Sequence, residues 1–298
     1  MTLHVGLDLG GTNIKTAVLS GELEDLEVVS TDSVDTGAAR GPEAVVDNLV
    51  AVGIEVIDGR PVTSVGLGVP GHFDRDTGRI LLFPNLPGDW EGFPLRDRVG
   101  DGLGIDTWMI NDARAFTLAE GLLGAGRGHS TVACITLGTG VGGGIMIDGR
   151  LHRGAFGVAG EIGHQTILPD GPSCGCGNRG CLESLVKADV LASGAGRPTV
   201  SDVFEGARDG DDHCLAAVAQ WAGYLGIGLA NVVTMIGPDR IVVGGGIAEA
   251  GDLVLDPITD AVKARVTLVP TESIEIVPAA LGRFAGAVGA AVAGAMGH

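Results

Sequence analysis

The chain of 298 residues is long enough for two packed domains, each with its own core, and far exceeds a small disulfide scaffold. Its 19 Lys and Arg stand against 37 Asp and Glu, a net charge of -18 that repels nucleic acid and anionic membrane surfaces, so neither is an expected partner. Hydrophobic residues reach 45% and mean hydropathy is +0.34. The most apolar stretch, residues 284–296, is too short to span a bilayer, and the opening MTLHVGLDLGG lacks the basic and apolar blocks of a signal peptide, so a cytoplasmic protein is expected.

In chain order, residues 5–9 and 14–19 read as short strands joined by the tight turn Gly10-Gly11-Thr12, with residues 26–30 as a third strand. A helix is predicted at 42–57, strands at 65–69 and 107–110, and a helix at 112–123. The hairpin pattern then returns: strand 132–137, the run Gly138-Thr139-Gly140-Val141-Gly142-Gly143-Gly144, strand 145–147 and an Asp148-Gly149 turn. Helices at 211–236, 253–266 and 284–296 follow, with a strand at 240–243 that ends in Gly244-Gly245-Gly246. One structural idea thus occurs twice, and a domain boundary is expected at Asn111, where a strand gives way to a helix, separating 1–110 from 111–283.

Gly138-x-Gly140-x-x-Gly143 has the spacing of a dinucleotide fingerprint, and Glu161 lies where a ribose-binding acid would fall. That motif needs a helix after its glycines, whereas residues 145–149 read as strand and turn. A Walker A loop is excluded because the chain has no Gly-Lys dipeptide and only three lysines. What remains is a pair of Gly/Thr turns that either close ordinary hairpins or present backbone N–H groups as anion-binding nests. Two such turns, with Asp8 just before the first and a third glycine run at 244–246, favour phosphate. Asp8 would then offer a hard oxygen to Mg²⁺, directly or through water.

Three of the five cysteines fall between Ser173 and Cys181, in the order Glu161-x-x-His164, Cys174-x-Cys176, Cys181, Glu183. A Cys₃His set suits closed tetrahedral zinc, and Gly175, Gly177 and Gly180 let the chain wrap an ion; the alternative is buried reduced thiols beside a core histidine. Cys134 and Cys214, on an apolar strand and an apolar helix, read as core. At the strand-to-helix junction Asn111-Asp112, the aspartate either caps the helix or stands ready as a general base. Asn85, within Phe83-Pro84-Asn85-Leu86-Pro87, reads as a turn residue.

Together these segments resemble the ROK family (repressor, open reading frame, kinase) of sugar kinases and sugar-responsive regulators. The carriers are Asp8-Leu9-Gly10-Gly11-Thr12, Pro84-Asn85-Leu86, Asn111-Asp112-Ala113, residues 137–144, Gly160-Glu161-Ile162-Gly163-His164, residues 174–183 and Val243-Gly244-Gly245-Gly246. The match runs through essentially the whole chain, and its cysteine run is the most specific part. The resemblance implies an α/β, actin-like (ribonuclease-H-like) duplicated fold with two domains around a central cleft, the final segment 284–298 returning to the first domain. It implies ATP held by Asp8, Gly10, Gly11, Thr12, Gly138, Thr139, Gly140, Gly244, Gly245 and Gly246, with Mg²⁺ at Asp8. A hexose, glucose foremost, would be held by Asn85, Asn111, Asp112, Glu161, His164 and Glu183 and phosphorylated at its 6-hydroxyl with Asp112 as general base. Zinc on His164, Cys174, Cys176 and Cys181 would be structural. The implied assembly is a homo-oligomer, a dimer or tetramer. Alternatives are a kinase for N-acetylmannosamine, N-acetylglucosamine, fructose, allose or kanosamine, polyphosphate in place of ATP, and a non-catalytic sugar-responsive regulator. A repressor is expected to carry a helix-turn-helix ahead of Asp8, where this chain has seven residues.

Overall fold

The computed structural model describes residues 2–84 and 86–297, and the chain divides into two units, Met1–Ala119 with Arg283–His298, and Glu120–Gly282. In the first unit the elements are β1 (Leu3–Leu9), β2 (Asn13–Ser20), β3 (Glu27–Asp35), α1 (Pro42–Ile57), β4 (Val62–Val69), β5 (His72–Phe73), β6 (Ile80–Leu82), α2 (Leu95–Leu103) and β7 (Thr107–Asn111), followed by α3 (Asp112–Leu122), whose last residues enter the second unit. The main sheet has the order β3-β2-β1-β4-β7. Its first three strands are antiparallel, and β4 and β7 add in parallel. The edge strand β3 is mostly exposed and polar, which discourages pairing with another chain.

Alternation along β1 decides what each face of this sheet receives. Val5, Leu7 and Leu9, with Val65, Leu67 and Val69 of β4, point into a core built with Val45, Val46 and Leu49 of α1. The other face carries His4, Gly6, Asp8, Ser64, Gly66 and Gly68, and His4 Nδ1 pairs with Ser64 Oγ at 2.8 Å.

The second unit contains β8 (Thr131–Leu137), β9 (Val141–Ile147), β10 (Arg150–Leu151), α4 (Leu182–Val186), α5 (Ala188–Gly194), α6 (Val200–Arg208), α7 (Asp212–Ile236), β11 (Arg240–Gly244), α8 (Asp252–Lys263) and β12 (Glu275–Pro278). The sheet order β10-β9-β8-β11-β12 repeats the first pattern, three antiparallel strands followed by two parallel additions. The expected strand 145–147 is longer than the sequence suggested. Gly142, Gly143 and Gly144 pair with Thr136, Ile135 and Cys134 inside β9 rather than forming the turn. Their lack of side chains is needed there, since a Cβ on Gly143 would stand 2.9 Å from the carbonyl oxygens of both Cys134 and Gly160.

By length and mean apolarity alone α7, with 25 residues, could cross a membrane. It is instead the central helix of this unit. Val218, Trp221, Ala222, Leu225 and Leu229 are buried among residues of α4, α6 and α8, and the Trp221 indole N–H donates to Val186 O at 2.7 Å. The sequence reading also passed over α6, although Thr199 and Asp202 form a capping box at its start.

The last helix, α9 (Ala285–Met296), belongs to the first unit and covers the glycine-bearing face of its sheet. A Cβ on Gly6 would lie 1.9 Å from Ala287 O, one on Gly66 1.7 Å from Ala290 O, and one on Gly289 1.7 Å from Ala115 O. Backbone therefore meets backbone, which explains a helix made almost entirely of Ala, Gly and Val.

The two units part in the chain between Ala119 and Glu120, and the first turns of α3 pack on α9 through Ala115. Glu120 is fully buried. Its Oε2 accepts the N–H groups of Ala125 at 2.9 Å and Ala280 at 3.0 Å, and its Oε1 accepts that of Leu281 at 2.8 Å. One carboxylate thus ties the start of the second unit to its last residues. Glu120→Ala would leave three partly buried backbone donors without their acceptor and is expected to cost about 1–3 kcal/mol in chemical denaturation; a loss below about 1 kcal/mol would show that water satisfies those donors instead.

Candidate functional site

In the first unit, the β1–β2 turn is closed by the Gly10 N–H, which donates to Asn13 O at 3.0 Å. That bond uses up Gly10's own donor, so Gly11 and Thr12 are the turn residues left to meet a ligand. Asp8, one residue before the end of β1, is buried on the α9 face, where a Cβ on Gly286 would meet its Oδ2 at 2.5 Å and one on Gly68 its Oδ1 at 3.1 Å. Burial lifts its carboxyl from 3.8 to about 7, opposed by Lys15, whose Nζ is 4.0 Å from Oδ2, and reinforced by the negative field of Asp112. A carboxylate placed at such cost, beside a Gly/Thr turn, fits the donor expected for a hard dication.

Asn111 ends β7 and Asp112 opens α3. The cap that might have explained Asp112 is supplied by its neighbour, since Asn111 Oδ1 accepts the Arg114 N–H at 3.2 Å. Asn111 Nδ2 also donates to Gly71 O at 3.2 Å and to Asp112 Oδ1 at 3.0 Å, and the Ala113 N–H donates to the same Oδ1 at 2.8 Å. Asp112 is therefore an exposed carboxylate with one oxygen oriented by two donors. Asn85, the other sugar-binding expectation in this unit, lies outside the described residues.

The second unit gathers most of the remaining candidates at one end of its sheet. Gly138 N–H donates to Gly140 O at 3.0 Å, closing the β8–β9 turn. Gly244 pairs with Thr136, and Gly245, at φ +87°, sits so near β8 that a Cβ would lie 2.4 Å from Leu137 O. The two glycine runs, 138–140 and 244–246, are thus adjacent. Glu183, expected as a sugar ligand, also shapes this turn: Oε2 accepts the Val141 N–H at 2.9 Å, while Oε1 lies 3.7 Å from Cys174 Sγ. Glu161 precedes a short 3-10 turn, Ile162–His164, held close to β9 because Gly163 has no side chain to strike Val141 O.

His164, Cys174, Cys176 and Cys181 bring their donor atoms within 4.8 Å of one another. His164 Nδ1 is 3.7 Å from Cys174 Sγ, and Cys176 Sγ is 3.7 Å from Cys181 Sγ. Tetrahedral zinc with Zn–S bonds of about 2.3 Å separates its sulfurs by about 3.8 Å, so the set is compatible with a structural zinc site. Burial pushes the Cys174 thiol up to about 12 and raises Cys181 as well, whereas the Asn178 backbone N–H lowers Cys176. Crowded, partly desolvated thiols give up their protons most readily to a cation that binds all of them. Cys134 and Cys214 are buried in the core, as their sequence context suggested.

One feature of the first unit escaped the sequence reading. Asp35, at the end of β3, and residues 37–40 form with Gly11, Thr12 and Pro87 a depression of about 580 Å³. Its only sequence signals are Gly37 and Gly41, which look like ordinary loop glycines.

A profile of the ROK family matches residues 4–294. The chain is 37% identical to a glucokinase from Streptomyces coelicolor, over 98% of this chain and 97% of that protein. Among solved structures it resembles a ROK hexokinase from Thermus thermophilus (TM-score 0.84, 35% identity, 99% of both chains). A ROK family glucokinase from Streptomyces griseus, crystallised with glucose and AMPPNP, matches with a TM-score of 0.82 and 35% identity, again over 99% of both chains. The chain belongs to the ROK family, and its α/β architecture is the actin-like ATPase fold of that family's sugar kinases.

Asp8 gives this site a testable pH signature. Between 3.8 and about 7 the folded chain keeps a proton that the unfolded chain has released, so stability falls as pH rises through this window and levels off above it. Free of metal and nucleotide, Asp8→Asn should unfold at a higher temperature than the parent above pH 7, the advantage fading toward pH 4. Thermal midpoints across that range check this; a pH-independent difference would mean that the Asp8 charge is not strained.

Proposed function

We propose that this protein transfers the γ-phosphoryl group of ATP to the 6-hydroxyl of a hexose, with glucose as the preferred acceptor. The observation that carries this reading is the pairing of Asp112, exposed and oriented at the head of α3, with the buried Asp8 and the Gly10–Thr12 turn in the same unit. A sugar hydroxyl is a poor nucleophile until its proton has somewhere to go. Asp112 accepts that proton as the oxygen attacks the γ-phosphorus, and the ADP oxygen leaves opposite the attack. The glucokinase and hexokinase relatives, one of them crystallised with glucose and AMPPNP, support both substrates.

Asn111 and Asn85 of the first unit, and Glu161, His164 and Glu183 of the second, are the candidates for binding sugar hydroxyls through amide, imidazole and carboxylate hydrogen bonds. Backbone N–H groups of Gly11, Thr12, Thr139 and Gly140, and the run Gly244–Gly246, cradle the phosphates, while Gly10 and Gly138 serve by closing their turns. Asp8 holds Mg²⁺, which when bound offsets phosphate charge. His164, Cys174, Cys176 and Cys181 hold zinc, which supplies rigidity rather than reactivity. His164 Nδ1 faces the cysteine cluster, and with a metal on that nitrogen Nε2–H would be the donor left for a sugar oxygen.

Asp112→Asn is expected to lower kcat about 10²- to 10⁴-fold with no loss of fold, because Asn111 remains the helix cap. A coupled ADP-release assay should show the highest kcat/KM for glucose among glucose, fructose, allose, N-acetylmannosamine, N-acetylglucosamine and kanosamine; near-normal turnover in the variant returns Asp112 to a structural role. Metal analysis of reduced protein should find one zinc per chain, absent in Cys176→Ser together with a raised KM for sugar. A metal-free parent with full activity would refute the zinc assignment.

A further inference from the structure

We propose that Arg40 is a phosphate-binding residue whose guanidinium, seated on Gly37, holds an anionic phosphoryl group in the depression beside Gly11 and Thr12. The inference rests on the kinase reading and extends it to a side chain that no motif marks. Its basis is the way residues 35–40 are fastened to the first glycine turn. Thr36, fully buried, donates its N–H to Thr12 O at 2.8 Å and its Oγ1–H to Gly10 O at 2.7 Å. Asn48 Nδ2 of α1 holds the same segment through Asp35 O at 2.8 Å and Thr36 O at 3.3 Å. The segment and the turn therefore move as one piece, and both line the depression of about 580 Å³.

Gly37 adopts φ +66°, and a Cβ there would stand 2.3 Å from Arg40 Nη2 and 2.6 Å from Nε. A side chain at 37 would have to displace the guanidinium of the exposed Arg40, so the glycine permits this placement as well as the turn. Asp35 lines the depression too, but its Oδ1 is taken by the Gly37 N–H at 2.7 Å. Among the described residues Arg40 makes no ion pair, in a chain with 37 acids to 19 basic residues.

The need for such a cation is electrostatic. Asp8 and Asp112 both present negative charge near the point where a phosphoryl group is transferred, and the backbone donors of the turn carry only partial charges. An arginine supplies a full charge in a planar fork matched to two phosphate oxygens. The phosphoryl group belongs either to ATP, as its terminal phosphate, or to the sugar 6-phosphate product, and one set of measurements separates them.

Arg40→Ala and Arg40→Lys are compared with the parent for kcat, KM of ATP, KM of glucose and inhibition by glucose 6-phosphate, with direct calorimetric titration of AMPPNP and of glucose 6-phosphate. Arg40→Ala is expected to weaken one of these phosphate ligands roughly tenfold to hundredfold, with glucose affinity and melting temperature unchanged and with Arg40→Lys intermediate. Weaker AMPPNP binding assigns the terminal phosphate of ATP; weaker glucose 6-phosphate binding assigns the product. Unchanged binding of both ligands by Arg40→Ala overturns the proposal. The titrations need no turnover, so a parent that binds these phosphates but transfers none would refute the kinase reading while still deciding the role of Arg40.

Discussion

Backbone-to-backbone contact between α9 and the sheet of the first unit is the constraint on which that unit depends. Gly6 and Gly66 leave no side chain between β1, β4 and the helix, and Gly289 does the same toward α3. This closeness also closes Gly286 and Gly68 around Asp8, so the helix creates the low-dielectric setting that lifts the Asp8 carboxyl. The same packing seats the first turns of α3 and with them the Asn111-Asp112 junction. Side chains added at these glycines would part the layers before they touched any chemical group, and both carboxylates would shift together.

A strongly acidic chain that is to bind ATP as proposed needs positive charge locally. Under that proposal it would come from oriented N–H groups in the two glycine turns, which attract anions without a formal charge, and from a cation at the buried Asp8. Arg40, whose guanidinium lies over a glycine three residues earlier, is proposed to add a full charge beside the first turn. Net charge therefore describes the surface, while the site is built from dipoles and a few individually placed ions.

In the second unit, Glu183 joins two features that sequence motifs treat separately. One oxygen holds the Val141 N–H beside the 138–140 turn, and the other lies against Cys174 of the metal-ligand set. The cysteine loop, the histidine and a glycine turn are thereby parts of one bonded assembly, so order in the loop is transmitted to the turn. Gly160 and Gly163 press the Glu161–His164 segment onto β9 for the same purpose.

The sequence by itself determined what depends on neighbours along the chain. The alternation of β1 and the two Gly/Thr turns marked the repeated sheet, and the spacing of His164, Cys174, Cys176 and Cys181 marked the cluster compatible with zinc, because a turn or a cysteine loop is closed within a few residues. Gly142–Gly144 were misread as turn because glycine carries no periodic signal; only the segment packed across them shows that they are strand. Apolar composition alone could not say whether α7 lies in a membrane or a core, and its packing against α4, α6 and α8 decided it. Glu120 and Arg40 were invisible for a related reason: one reads as an ordinary helix acid and the other as an ordinary surface base. Leu281 reaches Glu120 from 161 residues away, and the Arg40 segment reaches the Gly10–Thr12 turn only through Thr36, so both settings are assembled by pairing between distant segments. Tertiary structure decided them because a buried carboxylate or an unpaired guanidinium acquires meaning only from the groups that folding brings around it.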